Sequence, residues 1–134
     1  MLRRALLGVA LLAGASAWAG APRDPYQYFF NQPEVLEYFK EHFLIFPVDI
    51  EGDVMITDFE GNSIKQKDYA FGVHRVRATP VIMFFDLDGK PVARYTGATA
   101  DVDEFMWLGQ YVADGIYKDM PFTRYKRERR QSSR

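Results

Sequence analysis

The 134-residue sequence predicts a single α/β domain. Three observations carry that expectation. Val35, Leu36, Phe39 and Phe43 recur at helical spacing, a hairpin signature runs from Pro80 to Tyr95, and a second helical stripe follows Asp101. Aromatic residues make up 16% of the chain, so a few large side chains can fill a small core.

The chain opens with Arg3 and Arg4, an uncharged apolar run from Ala5 to Gly14, and the small-residue pattern Ala17-Trp18-Ala19. That succession predicts an export leader over residues 1–19, cleaved before Gly20 and too short to persist as an anchor. The mature protein is then expected in the periplasm, without stable membrane insertion. Two prolines within residues 20–25 predict a linker. Tyr26-Gln27-Tyr28-Phe29-Phe30 is aromatic and strand-prone.

A helix is expected next, with Asn31 or Gln32 near its N-cap, Pro33 in its first turn and Glu34 at its positive end. Leu44 to Ile50 reads as a strand, placed towards a sheet edge because Pro47 removes a ladder donor. Residues 53–59 are weakly extended and Glu60-Gly61-Asn62 is a turn. Ser63 then caps a short helix from Ile64 to Phe71 that stops at Gly72. Residues 73–78 form a loop carrying His74, Arg75 and Arg77. Two strands, Pro80–Phe85 and Pro91–Tyr95, flank the turn Asp86–Lys90. Thr99 or Asp101 caps a last helix to about Tyr117. Residues 124–134 read as a polar, frayed end.

Without residues 1–19 the chain holds 15 basic and 18 acidic side chains, and residues 118–134 alone carry seven basic and two acidic ones. The body, residues 20–117, is therefore net −8, which argues against a nucleic-acid-binding domain. The basic tail is the segment expected to touch acidic surfaces, a partner's or the body's own. There is no cysteine. That excludes a catalytic thiolate, a redox pair, a disulfide and a zinc–thiolate site. His42 and His74 lack the convergent ligands a metal needs. Asp86-Leu87-Asp88-Gly89 has the opening of a calcium loop without its later ligands and reads as a hairpin turn. Asp101, Asp103 and Glu104 fall where a helix dipole favours acids. No cofactor is expected.

Certain stretches carry a family resemblance. They are Asn31-Gln32-Pro33-Glu34-Val35, Val48-Asp49-Ile50, the run from Val76 through Thr79-Pro80 to Asp86, Asp88-Gly89-Lys90, Tyr95-Thr96-Gly97 and Tyr111-Val112-Ala113-Asp114-Gly115. In the order helix, strand, helix, Thr-Pro, hairpin, helix, they resemble the thioredoxin-like family over residues 31–127. More narrowly, they resemble bacterial periplasmic proteins of the SoxW type, related to the reductase domain of DsbD. The resemblance implies a three-layer sandwich, a cis-proline at Pro80 and a peptide-facing loop at Ala78, Thr79 and Pro80. It also implies thiol–disulfide oxidoreductase activity, for which this chain has no sulfur nucleophile.

Members of that family carry an interior strand and a Cys-x-x-Cys ahead of the segment matching Asn31-Gln32-Pro33. Here residues 24–30 run straight into it. The expected fold is therefore a truncated sandwich. Its first core strand and the start of its active-site helix are absent or replaced by residues 26–30, and Asn31, Gln32 and Pro33 lie nearest the lost redox site. The expected function is an exported, non-catalytic module for an extended peptide or a periplasmic protein. The alternatives are an oxidoreductase by family, of which this chain is an internally deleted version, and a truncated product with no function of its own.

Overall fold

The computed structural model describes residues 29, 31–77, 81–97 and 99–133 and the backbone of 7–13. Its principal sheet has four strands: β1 (Leu7–Ala13), β2 (Phe43–Asp49), β5 (Val81–Phe85) and β6 (Pro91–Thr96), in the order β2-β1-β5-β6. A small antiparallel hairpin, β3 (Met55–Thr57) with β4 (Ser63–Lys65), stands apart. The helices are α1 (Pro33–His42), α2 (Gln66–Asp68, continued by a π-helical turn over Tyr69–Val73), α3 (Val102–Ala113) and α4 (Phe122–Ser132). A 3₁₀ turn at Ile116–Lys118 joins α3 to α4.

The interior strand position is filled, which corrects the expectation that it is absent or taken by residues 26–30. Leu7–Ala13, the apolar core of the stretch read as an export leader, runs parallel to β2 and antiparallel to β5. Hydropathy does not separate the two roles, because a leader core and a strand buried on both faces both need a short uncharged apolar run. Of residues 26–30, Phe29 is described, and it is buried against the Phe105 ring at 5.2 Å. The others lie outside the described residues.

β5 is buried at every position, and its alternation feeds two cores. Ile82 and Phe84 join Phe29, Val35, Phe39, Phe43, Phe105, Leu108, Tyr111 and Val112 beneath α1 and α3. Val81, Met83 and Phe85 join Val48, Ala70 and Val76 beneath the π-helical turn. The first layer is aromatic: Phe39 stacks on Phe105 at 4.7 Å and Phe43 meets Phe84 at 5.3 Å. A Cβ on Gly109 would lie 2.7 Å from Phe39 Cζ, so the crossing of α1 and α3 needs a glycine there.

α1 begins as its sequence suggests. Gln32 is extended at the N-cap, Pro33 occupies the first turn, and the Gln32 carbonyl accepts from the Val35 and Leu36 amides. Two turns share one device. The Asp58 carboxylate accepts from the Glu60 and Asn62 amides, and Asp86 accepts from those of Asp88 and Lys90. Gly61 and Gly89 follow with positive φ, and a Cβ on Gly89 would also strike the Phe59 side chain at 2.5 Å.

Two further expectations are corrected. Ser63 lies in β4 and caps no helix; the helical segment starts at Gln66 and passes through Gly72 to Val73. Pairing of β3 with β4 takes residues 63–65 before the helix can begin. The basic end is an 11-residue helix packed on α3, where a frayed tail was expected.

Candidate peptide-facing site

The loop Ala78-Thr79-Pro80 lies outside the described residues, but both of its approaches are defined. On the far side, Val81 pairs with Thr96 in β6 and Leu12 in β1. On the near side, Val76 is buried and its amide donates to the Ala70 carbonyl at 2.9 Å. Arg75 adopts φ 55°, a left-handed conformation unusual for a non-glycine residue. The Arg94 guanidinium holds that bend by donating to the His74 carbonyl at 2.6 Å and the Arg75 carbonyl at 3.4 Å. Arg77 is exposed and lies 5.8 Å from the Phe71 ring centre.

The His74 ring sits edge-on to Tyr69 at 4.6 Å and to Phe85 at 5.4 Å. Its Nε2 is buried without a hydrogen-bond partner among the described residues. Burial, helped by the neighbouring Arg94 charge, pushes its pKa below the usual histidine value.

Beside this region an apolar groove of about 250 Å³ runs between β2 and β3, lined by Phe46, Pro47, Val48, Ile56, Phe59 and Tyr69 among others. Of the lining residues, Phe46 and Phe59 are exposed large apolar side chains, and Leu44 of β2 and Met55 of β3 are exposed as well. Among the described residues β2 is an edge strand of the sheet; Pro47 removes one donor from it, and at its end the Asp49 amide donates to Gln66 Oε1 at 3.0 Å while the Asp49 carbonyl accepts from the Gly52 amide.

Asn31 and Pro33 are exposed and Gln32 is half-buried, all at the head of α1. His42 Nδ1 bonds to the Tyr38 carbonyl at 2.9 Å, within its own helix. Among the described residues no three His, Asp or Glu gather where a metal ion could sit.

The sequence placed Glu104 among the first-turn acids but did not show its burial or its cation partners. Asp101 caps α3 as expected, its carboxylate accepting from the Glu104 amide at 2.8 Å. Asp103 adds an exposed acid to the first turn. The Glu104 side chain is only 2% exposed. It accepts from the Tyr95 hydroxyl at 2.9 Å, Lys126 Nζ at 3.2 Å and Arg130 Nη2 at 2.5 Å. Burial alone would raise its carboxyl. The bonds from Tyr95 and Lys126, with the Lys126 charge, outweigh that and hold it below the usual carboxylate range. The signal for this site was split between an acid one residue before Phe105 and cations 22 and 26 residues later.

A four-stranded mixed sheet between two helical layers, with a Thr-Pro step entering its fully buried strand, defines an α/β sandwich of the thioredoxin class. A family model described as a thioredoxin-like domain matches residues 26–113, and the chain belongs to that family. No curated protein matches the chain. Among solved structures it is similar to a thioredoxin-fold protein from Helicobacter pylori, with 20% identity and a TM-score of 0.67 over 90% of this chain and 79% of that one. It also aligns with a thioredoxin of Entamoeba histolytica carrying a cysteine-to-serine substitution. That match has 19% identity and a TM-score of 0.47 over 76% of this chain and 79% of that one.

Proposed function

We propose that this chain is an exported thioredoxin-like module of the SoxW type that binds an extended peptide at the Ala78–Pro80 loop and performs no thiol chemistry of its own. The absence of cysteine from a thioredoxin-like chain carries this reading. Disulfide exchange needs a thiolate to attack sulfur, and no other side chain substitutes for it. What supports the loop reading is an apolar groove lined from an edge strand of the sheet, together with the family's Thr-Pro step in the sequence. Those features suit main-chain pairing with a peptide and apolar pockets for alternate side chains. Residues 1–19 supply the export signal and the periplasm is the site of action.

Two measurements test this. Purified full-length chain should give no turnover in an insulin-reduction assay; turnover would overturn the non-catalytic assignment. Unfolded, reduced peptides should raise hydrogen-exchange protection at Arg77 and Val81, and Pro80→Ala should weaken their binding about tenfold, the equivalent of one lost backbone contact. Equal binding by the variant would remove the loop from the site.

A further inference from the structure

β2 and β5 are not neighbours; each bonds to the opposite edge of β1. Seven residues of β1 are in register with β2, from Leu7 opposite Phe43 to Ala13 opposite Asp49. Five are in register with β5, from Gly8 opposite Phe85 to Leu12 opposite Val81. Strands lie about 4.8 Å apart, so β2 and β5 are separated by about 10 Å, two spacings with room for one strand between them. Without β1, two facing rows of backbone N–H and C=O groups would lie unpaired between the two apolar clusters, where each unmade bond is costly.

The occupant is suited to leave as well as to fit. Leu-Gly-Val-Ala-Leu-Leu-Ala carries no charge and no polar side chain. By register, Val9 and Leu11 fall opposite Phe84 and Ile82 of the thicker core, and Gly8 and Ala10 opposite Phe85 and Met83 of the thinner one. The same residues form the apolar run expected to be drawn into the export machinery.

We infer that the gap between β2 and β5 is a binding site for an extended, uncharged apolar segment of seven residues running parallel to β2, and that Leu7–Ala13 is its exchangeable occupant. The chain supplies its own ligand, and the same sequence offered in trans fills the same gap. The site differs from the Ala78–Pro80 loop, and its ligand adds a strand inside the sheet. If the leader is removed after export, the site is left open to whatever apolar strand comes next.

The test uses the folded full chain with a protease site inserted between residues 20 and 25. After cutting, the two pieces should remain together. A fluorescent peptide of residues 5–15 in excess should then displace the native fragment, raising anisotropy in the cut protein but not in the uncut one. The same peptide with Ala10→Pro, which lacks a ladder donor, should compete about tenfold less well. Amides of Leu44–Phe46 and Ile82–Phe84 should stay protected from exchange only while a strand is bound. Within those stretches the amides that alternate toward β1 report on the gap and the others serve as internal references, so a failed peptide assay at the loop leaves this result unaffected. The inference is overturned if the cut protein, freed of its fragment, keeps the same protection because β2 has closed on β5. Equal binding of the labelled peptide to cut and uncut protein would also overturn it.

Discussion

The first strand and the last helix lie at opposite ends of the chain and are held by opposite physics. β1 has no charged or polar side chain and is fixed by backbone pairing on both edges, in the middle of the sheet. α4 has no buried residue and is strongly basic. Phe122 and Tyr125 rest on the Tyr111 ring, and long side chains hold the rest: Lys126 and Arg130 on Glu104, Arg129 on Gln110 and the Tyr125 hydroxyl, and the Arg129 and Arg130 guanidiniums 5.6 and 5.2 Å from the Trp107 ring centre. A strand interior to a sheet is shared by both cores, so its loss propagates. A helix clipped to one face through a buried carboxylate can detach and leave the sheet standing.

The contrast is broken most sharply at β1. Ala10→Pro in the full chain removes the one N–H donor of that residue from a strand paired on both sides, leaves its acceptor unsatisfied at about 1–3 kcal/mol, and sets a proline ring inside the sheet. Thermal melting followed by near-UV circular dichroism should lose its cooperative transition. A melt that stays sharp and shifts by only a few degrees would show that the sheet does not depend on β1.

Glu104→Gln probes the other end. Lys126 and Arg130 are 28% and 43% exposed, so they can rehydrate when their counter-charge is gone, and the cost falls below that of a fully buried broken pair. About 1–3 kcal/mol is expected. Limited proteolysis should cut within residues 122–132 first, with the sheet still cooperative. Should the sheet and α4 unfold together, the two ends would be coupled after all.

Most of the helix and strand order was legible because it rests on local periodicity. α1, β5, β6 and the Asp101 cap of α3 are each written within a dozen residues. The misassignments share a different cause. β1 takes its identity from partners at 43–49 and 81–85, which no local pattern names. α4 was read as solvated because its cations were counted without the acid that receives them. Ser63 was assigned by its capping chemistry although β3 claims its backbone first. The loop residues Thr79 and Pro80 rest on family resemblance and lie outside the described residues, while His74 and Arg94, whose contact holds the bend at Arg75, sit 20 residues apart and left no joint signal.

Acid should separate two parts of the molecule in sequence. His74 has a lowered folded pKa, so the unfolded chain binds its proton more readily, and its contribution is present above about pH 6.5 and lost as pH falls through the folded value. Glu104 behaves in the same sense at lower pH. Its contribution is present above about pH 4.3 and lost as pH falls through the depressed folded value. Melting temperature should therefore fall in two stages between pH 7 and pH 3. His74→Phe should remove the upper stage and Glu104→Gln the lower. A single stage unaffected by either substitution would mean that neither group governs the acid limit.

The smallest effect is a titration that leaves the fold intact. Burial pushes the Tyr95 phenol up to about 12, and its hydrogen bond to the charged Glu104 carboxylate adds to the rise. Ionising that phenol would place a second anion against Glu104 while removing the proton they share. Glu104→Gln replaces the anion with a neutral amide, so Tyr95 should titrate at lower pH even where α4 stays bound. Absorbance near 295 nm follows phenolate formation, with Tyr95→Phe identifying the component that moves. The tyrosine count is eight, so the change is about one-eighth of the total signal. If the late component persists unchanged in Glu104→Gln, burial alone holds the phenol. The carboxylate would then serve the cations of α4 and not the strand beneath it.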